Sequence, residues 1–191
     1  MSQQDPREYL EIHLFNDLLW LLCAATEWHV QQTVNPKDDI EGQHIKLYAL
    51  DSATLHARAL LEFFTSGRTV RNHLGMDLYG LQAITSELYS DNWKDPMNRY
   101  LMHANERPGG QQLTRFNGEG TKHLKRMPID FGREVVRLWR TFIGRLRSKD
   151  DQLATLAQSK LAEAITRAAY VVTSPINESY DIGPITWEAD E

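Results

Sequence analysis

Cysteine is almost missing from this chain. Cys23 is the single one among 191 residues, so no internal disulfide can form, and the composition suits a reducing compartment. Cys23 lies in an apolar run and reads as a small core residue rather than a nucleophile. Long apolar runs are missing too. The only candidate, residues 18–25, is about eight residues long, against the ~20 a membrane-spanning helix needs. Asp5, Glu8, Glu11 and Asp17 precede it, where a signal peptide carries positive charge. Neither a membrane partner nor export is expected, and the reading is cytoplasmic. Period-two alternation is also scarce: only residues 170–173 and 185–187 are weak strand candidates.

The common chemical motifs are absent. There is no GxxxxGK[ST], no GxGxxG after a strand and no GxSxG. The histidines are His13, His29, His44, His56, His73, His103 and His123, and no two stand in HxxxH or HExxH. One Glu-x-x-His pair, Glu41 with His44, encloses Gly42 near a helix start; a di-iron bundle needs a second pair, and none exists. His103 and Glu106 stand three apart, but a metal would need ligands from other helices. No metal and no cofactor is expected.

What is present is helical periodicity. With 41% hydrophobic and 25% charged residues, the chain has the composition of one globular domain. The pattern predicts an all-α bundle of four to six helices over residues 1–172 and an irregular acidic tail over 173–191. Asp5 and Pro6 start the first helix, with Glu8 at capping-box spacing, and Asn35-Pro36 ends it. A second helix runs from about Ile40 to Phe64. Residues 81–89 and 96–105 read as short helices, and 111–127 as a loop. Pro128 opens an amphipathic helix whose buried stripe includes Val135, Val136, Trp139, Phe142 and Ile143. Residues 149–151 break that helix or bend it, and the period continues to about Val172.

The net charge of −5 conceals two opposite segments. The tail holds Glu178, Asp181, Glu188, Asp190 and Glu191 with no Lys or Arg. Residues 121–147 hold eight cations against Asp130 and Glu134, a net of +6. Arg133, Arg137, Arg140 and Arg147 line one helix face and are candidate RNA-binding residues. The same face suits pairing with Glu134 or with the acidic tail, and a protein partner docking through either charged segment is the other reading. Aromatic residues are sparse on that face, which argues against a stacking platform for single strands.

One constellation carries chemistry. Asn98, Arg99, His103 and Arg107 share a helical spacing that puts Arg99, His103 and Arg107 on one face. A histidine between two cations favours its neutral form, which accepts a proton, while the arginines hold a phosphate. These are the parts of a metal-independent ribonuclease. A second group, His56, Arg58 and Glu62, has the spacing of a structural polar network holding two helices.

The segment His56-Ala57-Arg58-Ala59-Leu60-Leu61-Glu62-Phe63-Phe64, with Asn98-Arg99-x-Leu-x-His103-x-x-x-Arg107 downstream, resembles a group of uncharacterised bacterial helical proteins. Those carry an HAR-x-L-x-EFF helix and an N-K-x-I-x-H-x-x-x-R motif. The pattern is distantly similar to the HEPN superfamily of small helical bundles, many of them ribonucleases or inactive RNA- or nucleotide-binding relatives in toxin and phage-defence systems. The resemblance spans about residues 50–107. It implies a HEPN-like bundle, an RNA substrate or ligand, and a homodimer whose site forms across the two-fold axis. The chain departs from the superfamily at one point: Asn98 stands where the catalytic Arg belongs, and Arg99 is one residue too close to His103. The alternative is therefore a non-catalytic helical interaction or regulatory protein. The ribonuclease reading predicts that mixed RNA is cleaved in EDTA by the wild type and left intact by a folded His103→Ala variant, as followed on a denaturing gel.

Overall fold

Asp5 opens the first helical run by accepting the Arg7 N–H at 2.9 Å, with Pro6 at the first helical position, where its missing N–H costs nothing. In the computed structural model, residues 4–34, 40–66, 74–86, 88–89, 121–172 and 185–188 are described. The turn Pro6–Glu8 passes into a π-helical stretch, Tyr9–Leu14, and then into helix α1, Phe15–Val34. The N–H of Phe15 reaches the carbonyl of Leu10, the five-residue step of a π turn. Helix α2 spans Ile40–Thr65, α3 spans Thr121–Arg147 and α4 spans Asp151–Val172. No strand occurs among the described residues, so the chain is all-α there. None of the helices is long and apolar enough to cross a membrane.

Helices α1 and α3 each pack against the other three. The reason lies in their apolar faces. Leu10, Leu14, Leu18, Leu21, Leu22 and Ala25 are fully or almost fully buried on the α1 side, and Phe131, Val135, Val136, Leu138, Trp139 and Phe142 on α3. Phe142 sits at an aromatic node. Its ring centroid lies 5.0 Å from Tyr79, 5.8 Å from Phe64, 6.1 Å from Phe63 and 6.2 Å from Trp139, all steeply tilted. Edge-to-face pairs of this kind fix side-chain positions as well as burying area. The buried Trp139 indole donates to the Ala157 carbonyl at 2.9 Å, tying α3 to α4. On α4 the residues Ala154, Ala157, Ala164 and Ala168 are all fully buried.

Three boundaries differ from the periodicity reading. The basic helix starts at Thr121, and Pro128 lies inside it. A proline there removes one backbone hydrogen bond, and packing of the flanking stripe carries the helix through. Residues 81–86 are not helical; their carbonyls bond to side chains of α3, as described below, rather than to their own segment. Residues 170–172 belong to α4. The expected short helix over 96–105 lies outside the described residues.

The α3–α4 break is built locally. Lys149 and Asp150 both donate backbone N–H groups to the Leu146 carbonyl, at 2.8 and 2.7 Å. The Asp150 carboxylate then accepts the Leu153 N–H at 3.0 Å and caps α4. Asp150→Ala is expected to lower stability by about 1 kcal/mol in urea unfolding, with the slope of the transition unchanged.

Candidate interaction face on the basic helix

At about 100° per residue, the polar positions of α3 divide between two flanks. Glu134, Arg137 and Arg145 fall on one side; Gly132, Arg140, Ile143 and Arg147 fall on the other. Each flank carries a non-helical piece of the chain.

The first piece is a strap, residues 80–86. Arg137 donates to the Thr85 carbonyl at 3.2 Å, and Arg145 donates to Gln82 and Ala83 carbonyls at 2.7 and 3.2 Å. Lys149 donates to the Gly80 carbonyl. The eight-residue rise from Arg137 to Arg145 is about 12 Å on a helix, close to the reach of the three extended residues from Gln82 to Thr85. The strap is therefore stretched along α3 and runs antiparallel to it. Its start is a turn at Gly80, whose φ of 63° lies in the left-handed region that glycine adopts without strain. Leu81 and Ile84 point into the core, while Gln82 and Thr85 are exposed. The Ile84 N–H also satisfies the Phe64 carbonyl near the end of α2, at 2.8 Å.

The strap closes a polar chain between α2 and α3. Arg58 donates to Glu62 at 3.0 Å, and the Tyr89 hydroxyl donates to the same Glu62 oxygen at 3.4 Å. The Tyr89 N–H donates to Ser86 Oγ at 3.0 Å, and Ser86 donates to Glu134 at 2.5 Å. Glu134 is clamped by Arg137 through two bonds of 2.7 and 2.8 Å. Burial and the Glu62 carboxylate both raise the Tyr89 pKa, so its hydroxyl stays a donor. His56 goes elsewhere. Its Nδ1 lies 2.7 Å from Asp17 Oδ1 on α1, and the exposed Trp20 ring lies nearly parallel to the imidazole at 6.4 Å. The expected trio of His56, Arg58 and Glu62 is thus divided between two helix contacts.

The second piece is a clip, residues 185–188. Trp187 is only 6% exposed although it lies in the acidic tail. Its six-membered ring lies close against Gly132, where any Cβ would collide with the indole. Arg133 donates to the Thr186 carbonyl at 3.0 Å, and Arg140 donates to Glu188 at 2.9 Å. Glu188 is 68% exposed, so that pair contributes about 0–1 kcal/mol, whereas truncating a buried indole costs about 3–5 kcal/mol. The aromatic ring holds the clip, and the charges set its register. Arg133 meeting Thr186 and Arg140 meeting Glu188 makes the clip parallel to α3, with the Trp187 ring turned back towards Gly132.

Of the four arginines singled out by spacing, Arg133 and Arg140 hold the clip and Arg137 holds the strap. Arg147 donates to Gln158 at 2.8 Å and lies 3.9 Å from Asp151. Sequence reasoning did not single out Arg145, Lys149, Glu134, Ser86 or Trp187 as site residues. The available signal was the lone tryptophan in an acidic tail. Asn98, Arg99, His103 and Arg107 lie outside the described residues. Among the described residues, no group of three or more His, Cys, Asp or Glu side chains converges to hold a metal ion. Burial pushes the Cys23 thiol pKa up, with Arg167 acting in the opposite sense, which leaves it a poor nucleophile.

Gly132→Val is expected to expel the indole. One of the five tryptophan side-chain N–H resonances would move to its random-coil position in the proton NMR spectrum, with stability lowered by about 1–3 kcal/mol. No known family model, curated protein or solved structure matches this chain.

Proposed function

We propose that this chain is a helical interaction protein, and that the outer face of α3 is its docking surface for non-helical polypeptide segments. The observation that carries the reading is the way α3 already treats its own chain. Arg133, Arg137, Arg145 and Lys149 all donate to backbone carbonyls outside the helices. A carbonyl is common to every sequence, so such bonds position any extended segment. The notch at Gly132 and the guanidinium of Arg140 add a preference for an aromatic residue followed by an acidic one. Most of these bonds are exposed, so each contributes on the order of 0.5–1.5 kcal/mol, and together they set the position of a segment rather than supply most of its affinity.

The ribonuclease reading rests on different residues. Asn98, Arg99, His103 and Arg107 would form the site of a HEPN-like bundle, paired across a homodimer, with Arg133, Arg137, Arg140 and Arg147 tracking RNA. In support stand the sequence motif and the half-exposed guanidiniums of Arg137, Arg140 and Arg147. Against it stand the carbonyl, carboxylate and amide partners those guanidiniums have within the chain.

The two readings separate in one titration. A fluorescein-labelled peptide, Ile-Thr-Trp-Glu-Ala-Asp-Glu, is expected to bind the full-length Trp187→Ala chain at least about tenfold more tightly than the wild type, whose own indole occupies the notch. A Trp187→Ala/Gly132→Val chain should not bind it. Absence of peptide binding, together with salt-sensitive binding of RNA, would transfer the face to nucleic acid.

A further inference from the structure

The clip covers only part of the face. Beyond Arg140 the flank continues into a pocket of about 350 Å³ between α3 and α4. Ile143, Leu161 and Ile165 supply its apolar lining, Arg140 and Arg147 its cationic groups, and Gln158 lies beside Arg147. An apolar floor between two guanidiniums is an unusual provision for a phosphate backbone, which presents no apolar group. It suits a side chain of the Leu or Phe kind with carboxylates on either side.

The geometry of the clip says how such a group would arrive. From Thr186 at Arg133 to Glu188 at Arg140 the backbone runs along α3 in the same direction as the helix, while the Trp187 ring reaches back to Gly132. Two further turns lead from Arg140 to Arg147, about 10 Å, which three extended residues span. A segment bound like the clip therefore places its next three residues along the pocket and at Arg147. In this chain the residues after Glu188 are Ala189, Asp190 and Glu191: a small residue, then two carboxylates. A methyl group fills little of a 350 Å³ space.

We infer that the pocket between α3 and α4 receives a large apolar side chain from an acidic segment of a partner protein. The segment's pattern is an aromatic residue, an acidic one, an apolar one and, three residues after the first carboxylate, a second, with those carboxylates on Arg140 and Arg147. The chain's own Trp187-Glu188-Ala189-Asp190-Glu191 is an incomplete version of that pattern, and Glu188 competes with the partner for Arg140. This inference rests on the docking reading above and adds to it the partner's sequence class.

The test uses the full-length Trp187→Ala chain and two labelled peptides, Ile-Thr-Trp-Glu-Ala-Asp-Glu and Ile-Thr-Trp-Glu-Leu-Asp-Glu. The leucine peptide is expected to bind about tenfold more tightly, the effect of burying one such side chain. That gain should vanish in a chain that also carries Ala162→Phe, an exposed pocket-lining position where a ring fills the space. Arg147→Gln should weaken the leucine peptide and flatten its salt dependence. Equal affinity of the two peptides would overturn this inference while leaving the docking reading intact. Binding of neither would overturn both. Displacement of the leucine peptide by poly(U) at matched charge would assign the arginines to RNA and overturn the inference as well.

Discussion

A backbone carbonyl that leaves a helix must find another donor, and in this protein α3 supplies it. The strap carbonyls of Gly80, Gln82, Ala83 and Thr85 and the clip carbonyl of Thr186 all accept from cations on or just beyond that helix. Most of these bonds lie at the surface, so they position the strap and the clip along α3 rather than offset the burial of a polar group. With these carbonyls towards α3, Leu81 and Ile84 still turn inward, where they cover the bundle. The positive charge of α3 and the apolar seal over it are thus one arrangement seen from two sides.

The same arrangement reaches the start of the chain. Tyr79, just before the strap, meets Phe142 at 5.0 Å and donates its hydroxyl to the Pro6 carbonyl at 2.8 Å. Burial is the largest of the effects that raise its pKa, so it remains a donor across the physiological range. One tyrosine therefore couples the first helical turn, the aromatic node and the beginning of the strap. Glu134 does the corresponding work at the other end, where Ser86 and Arg137 converge on a carboxylate only 12% exposed.

Much of the helical framework was legible in the residues themselves. Asp5-Pro6 marked a start, and the period of Val135, Trp139 and Phe142 a buried stripe, because caps and stripes are local or periodic. Pro128 misled, since a proline inside a helix looks like one at its start until the packing around it is known. The strap misled for a different reason. Its residues Leu81 and Ile84 have helical spacing, but the partners of the Gln82, Ala83 and Thr85 carbonyls lie more than fifty residues away on α3, and no local signal encodes them. The basic face was visible as charge; which guanidinium meets a carbonyl, a carboxylate or solvent depends on the two segments laid beside it. The tail was visible only as acidic, and the part played by Trp187 depends on a single missing Cβ at Gly132.

That missing Cβ has a further consequence. Residues 173–184 tie the clip covalently to α4, so the indole is presented to its notch at an effective concentration on the order of millimolar. A free competitor of micromolar affinity would have to reach high levels to displace it by mass action alone. Whether the notch is filled therefore depends on whatever changes that intramolecular equilibrium, such as a bond lost at Arg133 or a charge changed at Glu188. The glycine leaves room for the indole, and how fully that room is used is a property of the tether as much as of the surface.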